Sequence, residues 1–394
     1  MTAAPDVLTA PPDASRTAHR GSPIPTGGMI ATRFMELRKR RGLMITLVLV
    51  TVGIPAVFMA IRLLLHAVAP KTYGPAGGYD IYTAFVSGVL YVFGFIMAAT
   101  LGATAGSSDL TDGMFRHLVV TGRSRLALYL ARIPAGLAII VPLVAAGFTI
   151  ICAVCCFAAP RTLNYDGVNV PVGLSQVGLE SWAAGHADAV ICDFGIRINS
   201  STSPIAAAVN SVPCRNGPGG PGPVKSGPGS SQVQPQASQA QIKTAARLIA
   251  SMDYADYHRQ FLSPSDSLMI RSGLWVELEV VIGFMVGLGL GSLLGQRTVA
   301  VILMVILEVI ITPIHSRARI PHLLNLQRGV VGLATAHLAP GGLPVLGGGG
   351  GGPSGNGGNA GLLPESVTVA VCVIIAWLVV WTVLGAWRMM TRDA

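Results

Sequence analysis

Apolar runs long enough to cross a lipid bilayer constrain this chain more than any other feature. Residues 43–65, 81–106, 134–157, 274–295 and 367–387 are apolar with few charges, and 299–314 is a shorter run of the same kind. A helix rises about 1.5 Å per residue and the hydrocarbon core is about 30 Å thick, so roughly 20 such residues span it. Backbone in lipid has to satisfy its own hydrogen bonds, which for runs of this length means helix. Composition points the same way. Charged residues are 11% and hydrophobic residues 51%, with a mean hydropathy of +0.60. A soluble domain carries about 25% charge, so these residues are too few to coat a globule of this size. The expected fold is an all-α integral membrane protein with six transmembrane helices.

The remaining segments divide the chain. Residues 1–28 are rich in Pro, Ala, Ser and Thr without an apolar run, and read as a disordered tail rather than a secretory leader. In 29–41, Ile30, Phe34, Met35 and Leu37 fall near one helical stripe among Arg and Lys, the pattern of a helix lying on the membrane surface. Residues 29–158 would hold that helix, spans one to three and an inner loop. Residues 159–272 form a long polar loop, Gly-, Pro-, Ser- and Gln-rich over 216–238. Within it, Ile242, Leu248, Ile249, Met252 and Tyr254 suggest an amphipathic helix over 239–262. Residues 273–394 would supply spans four to six, with a Gly-rich tract inside 315–364. Gly102-Ala-Thr-Ala-Gly106 closes span two with small residues that permit close helix contact.

Six spans place both termini on one side. If that side is the cytoplasm, the inner segments carry Arg33, Arg38, Lys39, Arg40, Arg41, Arg116, Arg123, Arg125, Arg297, Arg388 and Arg392, against Lys71, Arg317, Arg319 and Arg328 outside. Eleven basic residues against four fits the positive-inside rule, with the long loop left out because long loops translocate regardless of charge. A plasma-membrane protein with cytoplasmic termini follows, and the 159–272 loop is then extracytoplasmic. Cys192 and Cys214, the two cysteines outside apolar runs, lie in that loop, where an oxidising compartment favours a disulfide between them. The net charge of +9 has the same membrane origin, since no soluble element gathers basic residues into a nucleic-acid surface.

Motifs for enzymatic chemistry are missing. The string from Gly219 to Ser226 approaches a phosphate loop, but Val224 stands where a second glycine belongs and prolines remove backbone donors. The chain therefore lacks an ATPase site of its own. His315, His322 and His337 fit no metal-ligand spacing, and Cys152, Cys155 and Cys156 have no accompanying His or second CxxC. No cofactor site is expected. Among ionisable residues in the spans, Glu277 and Glu279 read as reaching the headgroup zone. Glu308 lies mid-span with no basic neighbour in sequence. Lipid exposure of an ionised carboxylate there would cost about 2.5–3.5 kcal/mol, so it should face the bundle, either for a structural hydrogen bond or along a substrate path.

The loop between spans two and three is the most informative stretch. Asp109 and Asp112 favour a helix start, Phe115, Leu118, Val119 and Gly122 share a face, and Arg123 and Arg125 follow. This arrangement resembles the permease subunit of an ATP-binding-cassette transporter of the six-span type-2 exporter class. Three features carry the resemblance. A basic amphipathic helix runs into span one. Asp109 and Gly113 match the acidic-x-x-x-Gly pattern, followed by Phe115-Arg116 and Ser124-Arg125. Residues 321–340 lie where the family carries short outer helices dipping towards the bilayer. The resemblance implies that Asp109, Asp112, Gly113, Phe115, Arg116, Arg123 and Arg125 form a coupling helix docked on a separate cytoplasmic ATP-binding subunit. It also implies a homo- or heterodimer of permeases that exports an unidentified substrate. Asp109 departs from the family's usual Glu, and the long loop after span three is atypical. The competing expectation is a membrane scaffold or sensor that binds partners through that loop.

Overall fold

The computed structural model describes residues 22, 24–69, 76–111, 124–159, 163–165, 168–171, 173–194, 212, 238–261, 264–312, 327–340, 343 and 365–391. Helix dominates it. Among the described residues five helices are long and apolar enough to cross a membrane: Arg41–Val68, Tyr79–Ser108, Arg125–Phe157, Asp266–Leu294 and Val367–Thr391.

The chain enters through α1 (Gly27–Lys39) and breaks at Arg40, whose φ of −75° and ψ of 75° are not helical. Met29, Arg33 and Leu37 form the buried face of α1. Met35, expected on that face, is exposed. The first long helix is α2 (Arg41–Val48), a π-helical turn over Leu49–Gly53, and α3 (Ile54–Val68). The second is α4 (Tyr79–Ala84), a π-helical turn over Phe85–Leu90, and α5 (Tyr91–Thr111). The third is α6 (Arg125–Leu130) and α7 (Arg132–Phe157). Ser124 caps α6 by accepting the Ala127 N–H, so the third helix starts about two turns before the apolar run does.

Between the third and fourth long helices lies a small unit with its own core. Strands β1 (Leu163–Tyr165) and β2 (Val168–Val170) pair antiparallel, with Leu163 opposite Val170. Helices α8 (Gln176–Gly185), α9 (Ala187–Phe194) and α10 (Gln239–Phe261) follow. Leu179, Val190, Ile191, Ile242, Ala246 and Ile249 pack together. Helix α10 forms where its periodicity predicts. Its buried stripe runs through Ile242, Ala245, Ala246, Ile249 and Ala250, while Leu248 and Met252 are exposed. Cys192 is disulfide-bonded; Cys214 lies outside the described residues. We expect mass spectrometry of protein from native membranes to recover a Cys192–Cys214 peptide pair. That bond should stabilise the unit by about 3 kcal/mol in the chain-entropy picture. Both thiols found free would rule it out.

Helix α11 (Asp266–Leu294) is capped by Ser265, which accepts the Leu268 N–H, so it begins well before residue 274. It ends at Gly295, whose φ of +67° is the left-handed conformation that suits glycine and turns the chain back into α12. Helix α12 (Arg297–Val305) continues as a π-helical turn over Ile306–Ile311. The run expected over 299–314 is helical over its described part, residues 299–312. Helix α13 (Val331–Ala336) is buried at every residue, and α14 (Val367–Thr391) completes the described chain.

Among the described helices the seam between α5 and α11 is the most extensive contact. Small residues make it possible. A β-carbon on Gly102 would strike the Phe284 backbone, and one on Gly287 would strike the Ala99 backbone. Gly283 and Gly291 sit equally close to Phe95 and Ala103. Two stripes of small residues thus interlock, the usual way for helices to gain dispersion contact in lipid, where burial of apolar surface supplies little drive.

Candidate functional site

A polar centre lies inside this apolar bundle. Glu308 on the π-helical turn and Glu279 on α11 are each 1% exposed. The Tyr91 hydroxyl of α5 donates to Glu308 Oε1. Glu279 stands one helical turn along α11 from Trp275, and α13, whose Thr335 hydroxyl donates to the Gly332 carbonyl at 3.0 Å, meets α11 through Trp275 and Glu308 through Gly332. Gly332 lies against Glu308, and a β-carbon built there would come within 2.6 Å of both carboxylate oxygens.

Each element is held by a specific contact. The Trp275 indole N–H on α11 donates to the Thr335 carbonyl at 3.0 Å, tying α13 to the long helix. The Trp275 ring stacks on Tyr91 with centroids 5.0 Å apart, which orients the phenol towards Glu308. Trp377 of α14 donates to the Gly329 carbonyl at 2.8 Å and fixes the approach to α13. His337 Nδ1 lies 2.7 Å from the Leu333 carbonyl and 3.8 Å from the Glu365 carboxylate. Glu279 Oε1 and Glu308 Oε2 are buried without a hydrogen-bond partner. Two buried carboxyl groups, each with one oxygen lacking a hydrogen-bond partner, therefore belong to this polar centre.

Sequence reasoning placed Glu308 inside the bundle, which is where it lies. It assigned Glu277 and Glu279 to the headgroup zone, and for Glu279 the structure differs. Glu279 is sealed in the bundle, and Glu277 Oε2 is buried without a hydrogen-bond partner. Tyr91, Gly332 and Thr335 carried no sequence signal, because an aromatic, a glycine and a threonine in apolar runs are ordinary. Neither did Arg132, which is buried and donates to the Gly106 carbonyl at 3.2 Å. The Ser292 hydroxyl approaches the same carbonyl at 3.5 Å, so Gly106 joins the second, third and fourth long helices at one point.

Of the residues assigned to the coupling loop, Asp112, Gly113, Phe115, Arg116 and Arg123 lie outside the described residues, and Asp109 is described only as part of α5. Arg125 donates to the Met390 carbonyl at 3.1 Å and so joins the start of α6 to the end of α14. Among the described residues no three His, Cys, Asp or Glu side chains converge on a common point. Cys152, Cys155, Cys156 and Cys372 are free thiols, and Cys156 Sγ touches the Met269 thioether at 3.7 Å. No family model matches this chain, and neither does any curated protein or solved structure.

Proposed function

We propose that this protein is the transmembrane permease subunit of an ATP-driven exporter of the ATP-binding-cassette type. In this reading α12 with its π-helical turn is a short fifth crossing, giving six spans with both termini in the cytoplasm of a plasma-membrane protein. Two copies, or one copy and a related permease, move a substrate outwards with a separate ATP-binding subunit. The observation that carries the reading is α13. It is a short helix between the fifth and sixth crossings, buried at every residue, that lies over a polar centre in the bundle. Buried ionisable groups in spans line substrate or ion paths more often than they serve as fillers. In this reading Glu279 and Glu308 line that path, and α13, against which Glu308 lies, covers it.

Two further features favour the same reading. Helix α1 packs on α7 and breaks at Arg40 into the first span, the layout of a surface helix that moves with the bundle. The joint at Gly106, Arg132 and Ser292 ties three long helices together, and in sequence Gly106 and Arg132 stand on either side of 112–123, where an ATPase would dock. A scaffold or sensor reading rests on the separately packed core of α8, α9 and α10, which offers a partner surface.

Pull-down from native membranes separates the two. The exporter reading expects a P-loop protein to co-purify with the full chain. Phe115→Ala should weaken that association by about 2 kcal/mol, the range of an interface hot spot, without altering membrane insertion. Recovery of no P-loop protein with the parent chain rejects the exporter reading. Equal recovery with Phe115→Ala rejects only Phe115 as the anchor.

A further inference from the structure

The end of the bundle that adjoins the α8–α10 unit holds a cavity of about 390 Å³, lined by Arg271, Trp275 and Leu278 of α11 and by Leu338 and Pro340 after α13. Small-molecule sites commonly enclose about 300–1,000 Å³. Its lining side chains other than Arg271 are apolar or aromatic, and the groove is open on one side. Trp275 offers no polar group to it, because its N–H is already given to the Thr335 carbonyl and its ring is stacked on Tyr91. The exception is Arg271, which is exposed and has no ion-pair partner among the described residues.

Depth narrows the class of ligand. Arg271 lies five residues into α11, a helix of 29 residues that crosses the membrane. At about 1.5 Å per residue this places it near one end of the crossing, at the level of headgroups. Below it, Leu278 lies two turns deeper on the same helix. A single cation above an apolar slot matches a molecule with an anionic head and a hydrocarbon body. We infer that the cavity seats a membrane phospholipid with an anionic headgroup, its phosphate on Arg271 and an acyl chain against Leu278, Leu338 and Pro340. A free phosphate would meet the charge but leave those walls unfilled. This inference stands apart from the exporter reading, since it needs neither an ATPase nor transport.

Native mass spectrometry of the full chain in a non-ionic detergent tests it. The protein is offered equimolar phosphatidylglycerol and phosphatidylcholine with identical acyl chains. The parent chain should retain phosphatidylglycerol with about fivefold preference, the value of one interfacial cation. Arg271→Gln should bring the two lipids to parity, and Arg271→Lys should keep most of the preference. Leu278→Trp, which fills the slot, should lower retention of both. A parent chain without preference overturns the inference, as does Arg271→Gln with its preference intact. Displacement of the lipid by millimolar inorganic phosphate would also overturn it, because the walls would then contribute nothing.

Discussion

Glu308→Gln should fold as well as the parent protein, whereas Tyr91→Phe should lose about 1–3 kcal/mol, the cost of leaving a buried acceptor without its donor. Glutamine keeps the volume beneath Gly332 and presents an amide oxygen to the Tyr91 hydroxyl, so the contact recorded with Glu308 Oε1 survives. It also removes one of the two buried carboxyl groups of the polar centre. Replacing buried charge with a neutral group of the same shape is often neutral or stabilising, while removing one partner of a buried contact is not. Tyr91→Phe leaves the ring stacked on Trp275 and deletes only the donor. The double variant should then lose less than the two single losses combined, because the residues share one contact. Apparent unfolding midpoints in a single detergent measure all three. A Glu308→Gln midpoint well below that of Tyr91→Phe would show that the carboxylate is structural, and would remove the reason for placing it on a path. In the exporter reading the stable Glu308→Gln protein should also fail to transport, the usual signature of a group kept for function at the expense of stability.

Why Glu308 was visible in the sequence and its surroundings were not follows from how apolar runs are read. A carboxylate in a run of Val, Ile and Leu stands out by itself. Its companion Glu279 lies in another helix, near charged Glu277 and Arg271, where hydropathy suggests the membrane edge. Only the Ser265 cap and Asp266 reveal that α11 starts earlier and carries Glu279 inwards. The glycine seam was half legible. Gly102 and Gly106 stand in a visible small-residue run, but Gly283, Gly287 and Gly291 lie among large apolar residues, and only the packed pair shows that they interlock. Five of the six expected spans were legible, because length and apolarity decide them, and the five long apolar helices stand over those runs. Helix ends were not, because caps such as Ser124 and breaks such as Arg40 are set by single hydrogen bonds and dihedrals. The buried position of α13 had no hydropathy signal, since Val331–Ala336 is too short to read as a crossing.

Gly287→Val should all but abolish accumulation of the protein in membranes. The added side chain would occupy space held by the Ala99 carbonyl and α-carbon, which belong to the backbone of α5 and cannot rotate away. Relief requires the two helices to separate along the seam, and separation there costs the dispersion contacts of Gly283 and Gly291 as well. Overpacking of a core commonly costs about 1–3 kcal/mol where side chains can give; with backbone on the opposing side the loss should reach or exceed the top of that range. Separation also pulls Tyr91 on α5 away from Glu279 on α11, so the polar centre is lost with the seam. Gly88→Ala supplies the control. Gly88 lies in the same long helix as Ala99, and a β-carbon there meets nothing within 4 Å. It should accumulate normally and elute as a single species from size exclusion in detergent. If Gly287→Val matches Gly88→Ala in abundance and elution, the α5–α11 seam is not what holds the bundle together, and the polar centre between those helices loses its frame.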